Sequence, residues 1–93
     1  MRFEFDGEVI EWRGPPPYLF VKMPATESAE IRRASKQLTY GWGCIPASVT
    51  IGRTTITTAL FPKDGAYLVP IKVALQRAER ISLGDRVRLA VDV

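Results

Sequence analysis

Residues 45–61 read IPASVTIGRTTITTALF, and this stretch decides the fold class. Apolar residues alternate with small or polar ones over residues 45–51, which is typical of a β-strand with one buried face. Gly52 and Arg53 then interrupt the pattern, and a glycine at the first of two turn positions favours a type II′ hairpin. Threonine and isoleucine, which suit a pleated sheet, dominate residues 54–61. The stretch therefore predicts a β-hairpin and a β-rich domain.

The N-terminal side of this hairpin predicts a further strand. Residues 2–12 alternate aromatic and acidic residues, which indicates a strand with one solvated, acidic face. The alternation changes phase at Val9 and Ile10, which predicts a β-bulge at Gly7. Residues 14–17, GPPP, predict an irregular connection because consecutive prolines have no N–H groups for a strand ladder.

A second strand and a helix are predicted next. Residues 18–23 are apolar on both faces except at Lys22, and Pro24 ends this strand. Thr26 is the predicted helix N-cap, and Gly41 is the predicted stop. Apolar residues recur between them at helical spacing. They are Ile31, Ala34 and Leu38.

The rest of the chain completes the predicted order β-β-α-β-β-β-α-β. A turn at residues 62–65 precedes a strand at 66–71, a short helix at 72–80 and a last strand at 86–93. Six strands and two short helices favour a single mainly β domain over residues 1–93, a small β-barrel with helices plugging its open ends. The last strand either closes the barrel or pairs with a second chain, so monomer and homodimer stay open.

Composition excludes several protein classes. The chain has 93 residues, of which 46% are hydrophobic and 25% charged, as in an ordinary globular domain. No apolar run approaches the roughly 20 residues that a membrane span needs. The start has no apolar signal-peptide segment, and the single cysteine forms no internal disulfide, so we expect a cytoplasmic protein.

Several motifs resemble the family called domain of unknown function 1905. They are Gly41-Trp42-Gly43-Cys44-Ile45-Pro46, Val49-Thr50-Ile51-Gly52-x-Thr54-Thr55, Leu60-Phe61-Pro62, Gly65-x-Tyr67-Leu68-Val69-Pro70-Ile71-Lys72 and Gly84-Asp85-x-Val87. The resemblance implies a bacterial β-barrel domain of the double-split type, related in fold to swapped-hairpin transcription factors and antitoxins. It implies no established activity.

The absence of histidine argues against an enzyme. Histidine is the commonest general base and metal ligand near neutral pH. Without it, one cysteine builds neither a Cys–His nucleophile pair nor an ordinary zinc site. We therefore predict no catalytic residues, no metal and no cofactor. Cys44 is interpreted as a small buried hydrophobic residue in preference to a reactive thiol.

A binding module for a small ligand or a protein partner is therefore the leading hypothesis. Tyr40 and Trp42 present aromatic faces in a glycine-containing loop, and Lys72 stands where a strand meets a helix. These three are the predicted ligand-binding residues. The structural alternatives are that Trp42 caps the barrel and that the stem of Lys72 covers apolar surface.

DNA or RNA binding is the alternative hypothesis. The net charge is +3, and basic residues dominate from Arg13 onward. A nucleic-acid surface forms if the first helix and two of the turns lie on one side of the domain. The residues concerned are Arg32, Arg33, Lys36, Arg53 and Lys63.

Overall fold

The order of the elements is the predicted one. This computed structural model describes the backbone of residues 1–12, 18–38 and 43–93 and the side chains of residues 1–11, 18–34 and 43–93. Within those ranges it contains six strands and two helices. They are β1 (Arg2–Trp12), β2 (Tyr18–Lys22), α1 (Ala25–Leu38), β3 (Ile45–Ile51), β4 (Thr54–Lys63), β5 (Ala66–Pro70), α2 (Val73–Glu79) and β6 (Arg86–Asp92).

The six strands form a closed antiparallel barrel in the order β1-β2-β5-β4-β3-β6. The predicted mainly β barrel with two short helices is therefore confirmed. Strand β6 pairs with β1 on one side and with β3 on the other, so the last strand closes the barrel.

The two longest strands each change neighbour along their length. Residues 2–8 of β1 pair with β6, and residues 9–12 pair with β2. Likewise, residues 54–60 of β4 pair with β3, and residues 61–63 pair with β5. Two strands divided in this way produce the double-split barrel that the family resemblance implies.

Gly7 permits a close crossing of strands and does not form a bulge. Both ladders of β1 run without an inserted residue, so the predicted bulge is wrong. Phe5, Gly7 and Val9 are all buried, while Ile10 is exposed, so the alternation continues through the position where a phase change was predicted. A Cβ atom on Gly7 would lie 2.3 Å from Cγ1 of the buried Val21. The strand needs glycine there because β2 leaves no room for a side chain.

The outer face of β1 is charged and solvated, as predicted. Arg2, Asp6 and Glu8 are exposed there and lie opposite Asp92, Arg88 and Arg86 of β6. Arg2 contacts Asp92 at 3.0 Å, and Arg88 contacts Asp6 at 3.4 Å. Such exposed ion pairs add little stability individually, but they favour the correct pairing of β1 with β6.

The barrel interior is filled by aliphatic and aromatic side chains, and Ser28 is the buried polar residue among the described side chains. Its hydroxyl donates to the carbonyl of Met23 at 3.3 Å and accepts from the backbone N–H of Tyr67 at 3.2 Å. Both hydroxyl roles are therefore satisfied, and they fix the start of α1 against β5.

Helix α1 begins two residues earlier than predicted. It starts at Ala25, where the carbonyl of Pro24 accepts the N–H of Ser28 at 2.9 Å. Thr26 therefore lies inside the helix, and its predicted role as N-cap is wrong. Ile31 is fully buried, as its helical spacing predicts. The predicted stop at residue 41 and the predicted connection at residues 14–17 lie outside the described residues.

The two hairpin turns differ in type. At residues 52–53 only Gly52 has a positive φ, of +60°, as the predicted type II′ turn requires. The second turn is shorter than the predicted segment 62–65. Pro62 and Lys63 continue β4, and the turn consists of Asp64 and Gly65, which have φ of 49° and 81°. Positive φ at both positions is the type I′ geometry that an Asp-Gly pair favours.

Helix α2 lies beside residues 54–60 of β4, which pair with β3 and with no other strand of the described chain. Glu79 Oε2 accepts a hydrogen bond from Thr54 Oγ1 at 2.6 Å. Near the other end of the helix, Lys72 Nζ donates to the carbonyl oxygen of Thr57 at 2.8 Å. These two contacts fix α2 beside residues 54–57 of β4.

The crossing at Gly7 gives the first prediction. Gly7→Ala is expected to lower the free energy of unfolding by about 2 kcal/mol, because the new methyl group overlaps a packed Val21. Urea unfolding of Gly7→Ala, Val21→Ala and the double variant measures it. The double variant is expected to lose less than the sum of the single losses, since Val21→Ala removes the clashing methyl group. Strictly additive losses would show that the Gly7–Val21 contact is not the cause.

Candidate ligand-binding groove

An open groove with aromatic walls runs along the outer face of the barrel over β2, β4 and β5. Its volume is about 850 Å³. We call it the aromatic groove. It is lined by Tyr18, Phe20, Pro46, Thr57, Thr58, Ala59, Phe61, Pro70 and Lys72.

Strand pairing explains why these side chains meet. Phe20 lies opposite Pro70, and Phe61 lies opposite Leu68. Because neighbouring residues on a strand point to opposite faces, Val21 fills the barrel interior while Phe20 faces outward. The result is a strip of apolar side chains on the face of the barrel opposite its core.

Two of the three aromatic side chains that line the groove are substantially exposed. Tyr18 is 55% exposed and Phe61 is 44% exposed, while Leu68 beneath them is buried. The rings of Phe20 and Phe61 meet edge to face, with centroids 6.4 Å apart and planes at 78°. This favourable arrangement holds two walls of the groove at an angle.

Two smaller cavities extend the groove at its ends, and both include Tyr18 and Phe20. One, of about 260 Å³, reaches Pro62 and Lys63. The other, of about 280 Å³, reaches Val73 and Gln76 beside α2. A lysine therefore borders the extended groove near each end.

The charge of the groove is positive. Lys72 is the charged residue among the described residues that line the main cavity, and no carboxylate of the described chain lines that cavity or its two extensions. The bond from Lys72 Nζ to the Thr57 carbonyl holds the ammonium group at the edge of the apolar surface.

The structure places the predicted ligand-binding residues only in part. Lys72 lines the aromatic groove, whereas Tyr40 and Trp42 lie outside the described residues. Gly43, which follows them in the chain, comes close to Pro62, since a Cβ on Gly43 would lie 3.3 Å from the Pro62 ring. The described chain after that loop therefore begins near one end of the groove.

The aromatic residues that form the walls are not among the binding residues predicted from the sequence. Tyr18 and Phe20 belong to a strand that is apolar on both faces, and Phe61 stands next to the buried Leu60. A strand on a one-layer barrel has a single face toward the core, so apolar residues on both faces imply an exposed apolar patch. The apolar residues on both faces of the second strand were therefore the sequence pattern that indicated the groove.

The predicted nucleic-acid residues do not all come together. Arg32 donates a hydrogen bond to the carbonyl of Gly65, which places it at the same turn as Lys63. Arg53 lies at the opposite end of β4, roughly 30 Å along a strand of this length. Arg33 is exposed on α1, and the side chain of Lys36 lies outside those described.

Other chemistry is sparse on the described chain. Cys44 is partly exposed, which differs from its predicted burial. Within residues 1–12, 18–38 and 43–93, no three histidine, cysteine, aspartate or glutamate side chains cluster as metal ligands. Neither helix of the described chain has the length and apolar character needed to cross a membrane.

Comparison with known proteins gives a family match. The model of the family described as "Domain of unknown function (DUF1905)" matches residues 5–91. No curated protein matches the chain. The match covers β2 to β5 completely and most of β1 and β6, and so it includes every described residue that lines the groove.

The exposure of the groove residues gives the second prediction. Tyr18→Ala is expected to change the free energy of unfolding by no more than about 0.5 kcal/mol, because the ring is largely solvated. Tyr67→Ala, at a buried position on neighbouring β5, is expected to cost about 3 kcal/mol. Urea unfolding of both variants checks the contrast. Equal losses would mean that Tyr18 is a structural residue.

Proposed function

This chain belongs to the DUF1905 family, and we propose that it is a non-enzymatic module that binds a small ligand in the aromatic groove. The exposure of Tyr18 and Phe61 on the walls of an 850 Å³ depression is the observation that supports the proposal. Water contacts these rings at a free-energy cost that a bound apolar molecule removes.

The size of the groove favours a small molecule over a protein partner. Ligand sites in proteins typically measure roughly 300–1,000 Å³ and combine apolar walls with a few polar groups. The aromatic groove has this composition, with Thr57, Thr58 and Lys72 among its apolar residues. Its angled rings form a depression suited to a flat molecule, whereas a stable protein interface needs about 800 Å² on each partner.

Binding without catalysis accounts for the chemistry of the groove. A threonine hydroxyl becomes a nucleophile when a neighbouring base removes its proton. The chain contains no histidine, and no carboxylate of the described chain lines the groove. We also place the module in the bacterial cytoplasm, because a single cysteine suits a reducing compartment.

A neutral aromatic probe tests the proposal. N-phenyl-1-naphthylamine, which fluoresces in apolar surroundings, is expected to bind saturably at one molecule per chain. Phe61→Ala is expected to weaken this binding by roughly threefold to tenfold, because it removes one wall of the groove. Fluorescence titration measures both.

Leu83→Ala is the matched control, because Leu83 is an exposed apolar residue like Phe61, at 55% against 44%, but does not line the groove. It is expected to leave the probe affinity unchanged. If the probe does not saturate, or if both variants weaken it equally, the proposed site is wrong.

Nucleic-acid binding makes a different prediction. Phosphate contacts cause affinity to fall steeply between about 50 mM and 200 mM salt. Because Arg53 lies far from Arg32 and Lys63, we expect no salt-sensitive binding of a labelled mixed-sequence single strand at micromolar protein. Fluorescence anisotropy measures this, and salt-sensitive binding would favour the nucleic-acid alternative.

A further inference from the structure

We infer that the ligand of the aromatic groove is an anion with a flat apolar body, whose charged group binds the ammonium of Lys72. The inference rests on the proposed function and adds the chemical class of the ligand. It follows from the fixed position of Lys72, the donors that its ammonium retains, and the sign of the charge around it.

Lys72 is held in position from both ends of its side chain. Its backbone is extended, with φ of −63° and ψ of 155°, at the junction between β5 and α2. Its Nζ donates a hydrogen bond to the carbonyl oxygen of Thr57, 2.8 Å away, in the part of β4 that pairs with β3. A lysine tethered in this way has already lost much of its side-chain freedom, so an incoming anion orders it at little further cost.

The tether leaves donors for a ligand. An ammonium group has three N–H donors and no acceptor, and the Thr57 carbonyl takes one of them. No other hydrogen bond or ion pair of Lys72 occurs within the described part of the chain. Two N–H groups are therefore available at the edge of an apolar surface, where an anion makes short, charge-assisted bonds.

The surroundings select an anion over a cation. Glu79, the carboxylate of α2, lies at the far end of that helix and accepts a hydrogen bond from Thr54. Carboxylates are absent from the described lining of the groove and of both its extensions. A cation would meet a like charge at Lys72 without compensation, whereas an anion would neutralise it.

The remaining lining defines the body of the ligand. Tyr18, Phe20 and Phe61 offer ring surfaces, and Pro46 and Pro70 offer flat apolar ones. A planar aromatic carboxylate, sulfonate or similar acid would lay its rings against these walls while its charged oxygens reach Lys72. A lysine binds such a group as a point charge, so several oxyanions fit.

Two probes that share the same rings distinguish the contribution of the charged group from that of the apolar body. 8-Anilinonaphthalene-1-sulfonate is N-phenyl-1-naphthylamine with an added sulfonate. At low salt the sulfonate probe is expected to bind roughly twofold to fivefold more tightly than the neutral one, as one exposed ion pair provides. Lys72→Gln is expected to abolish this advantage, so that the ratio of the two affinities measured on that variant falls to about one.

Two further variants locate the charge. Arg53→Gln removes a cation far from the groove, and Lys63→Gln removes the lysine of the other extension. Both are expected to retain the advantage of the sulfonate. A fall in that advantage as salt rises from about 50 mM to 200 mM would support an ionic contact.

The outcomes distinguish the inference from the proposed function. Equal binding of the two probes would overturn the role of Lys72 and leave a groove for neutral ligands. So would a sulfonate advantage that survives Lys72→Gln. An advantage that disappears in Arg53→Gln as well would have the same meaning. An advantage lost only in Lys63→Gln moves the anion to the other end and overturns the inference too. If neither probe binds, the proposed function fails together with it.

Discussion

The contact between Gly7 and Val21 is the constraint on which the rest of the barrel depends. Strand β1 leaves β6 and joins β2 just beyond this glycine, and it passes over β2 with no space for a side chain. Strand β4 makes the equivalent change between β3 and β5. Because two long strands each serve two neighbours, six strands enclose a core in so short a chain, and two gaps remain between strands.

The gap beside β4 connects the fold to its candidate function. Residues 54–60 of β4 pair with β3 and with no other strand of the described chain. In this segment the carbonyl of Thr57 accepts a hydrogen bond from the side chain of Lys72 in place of a backbone N–H. Beyond Leu60 the strand turns to β5 and carries Phe61 onto the outer face beside Phe20. A cation and an apolar strip thus become neighbours as a consequence of the same split. The site needs no segment added to the barrel.

Local patterns in the sequence predicted most of the architecture, because strands, turns and helices depend on near neighbours. The hairpin at Gly52 followed from turn chemistry alone. Strand crossing depends on residues distant in sequence, so the pattern at Gly7 indicated a bulge where β2 in fact approaches. Pro62 similarly indicated a turn, but it lies within β4. At this position β4 pairs with β5 and with no other described strand, so the N–H that proline lacks is not needed for a second ladder. The groove was missed for the same reason, since Phe20 and Phe61 meet only in the closed barrel, whereas the chemistry of Lys72 was visible directly.

The pairing of β1 with β6 has a consequence for synthesis of the chain. Arg2 and Asp92 are separated by 90 residues, and the whole β1–β6 ladder joins segments nearly as far apart. During synthesis, residues 2–8 of β1 therefore lack their β6 partner until residues 86–92 have left the ribosome. An unpaired strand edge invites association between nascent chains. Charges on an unpaired edge disfavour pairing with an identical strand. Asp6 and Glu8, which later lie opposite Arg88 and Arg86, therefore oppose such association before the barrel closes.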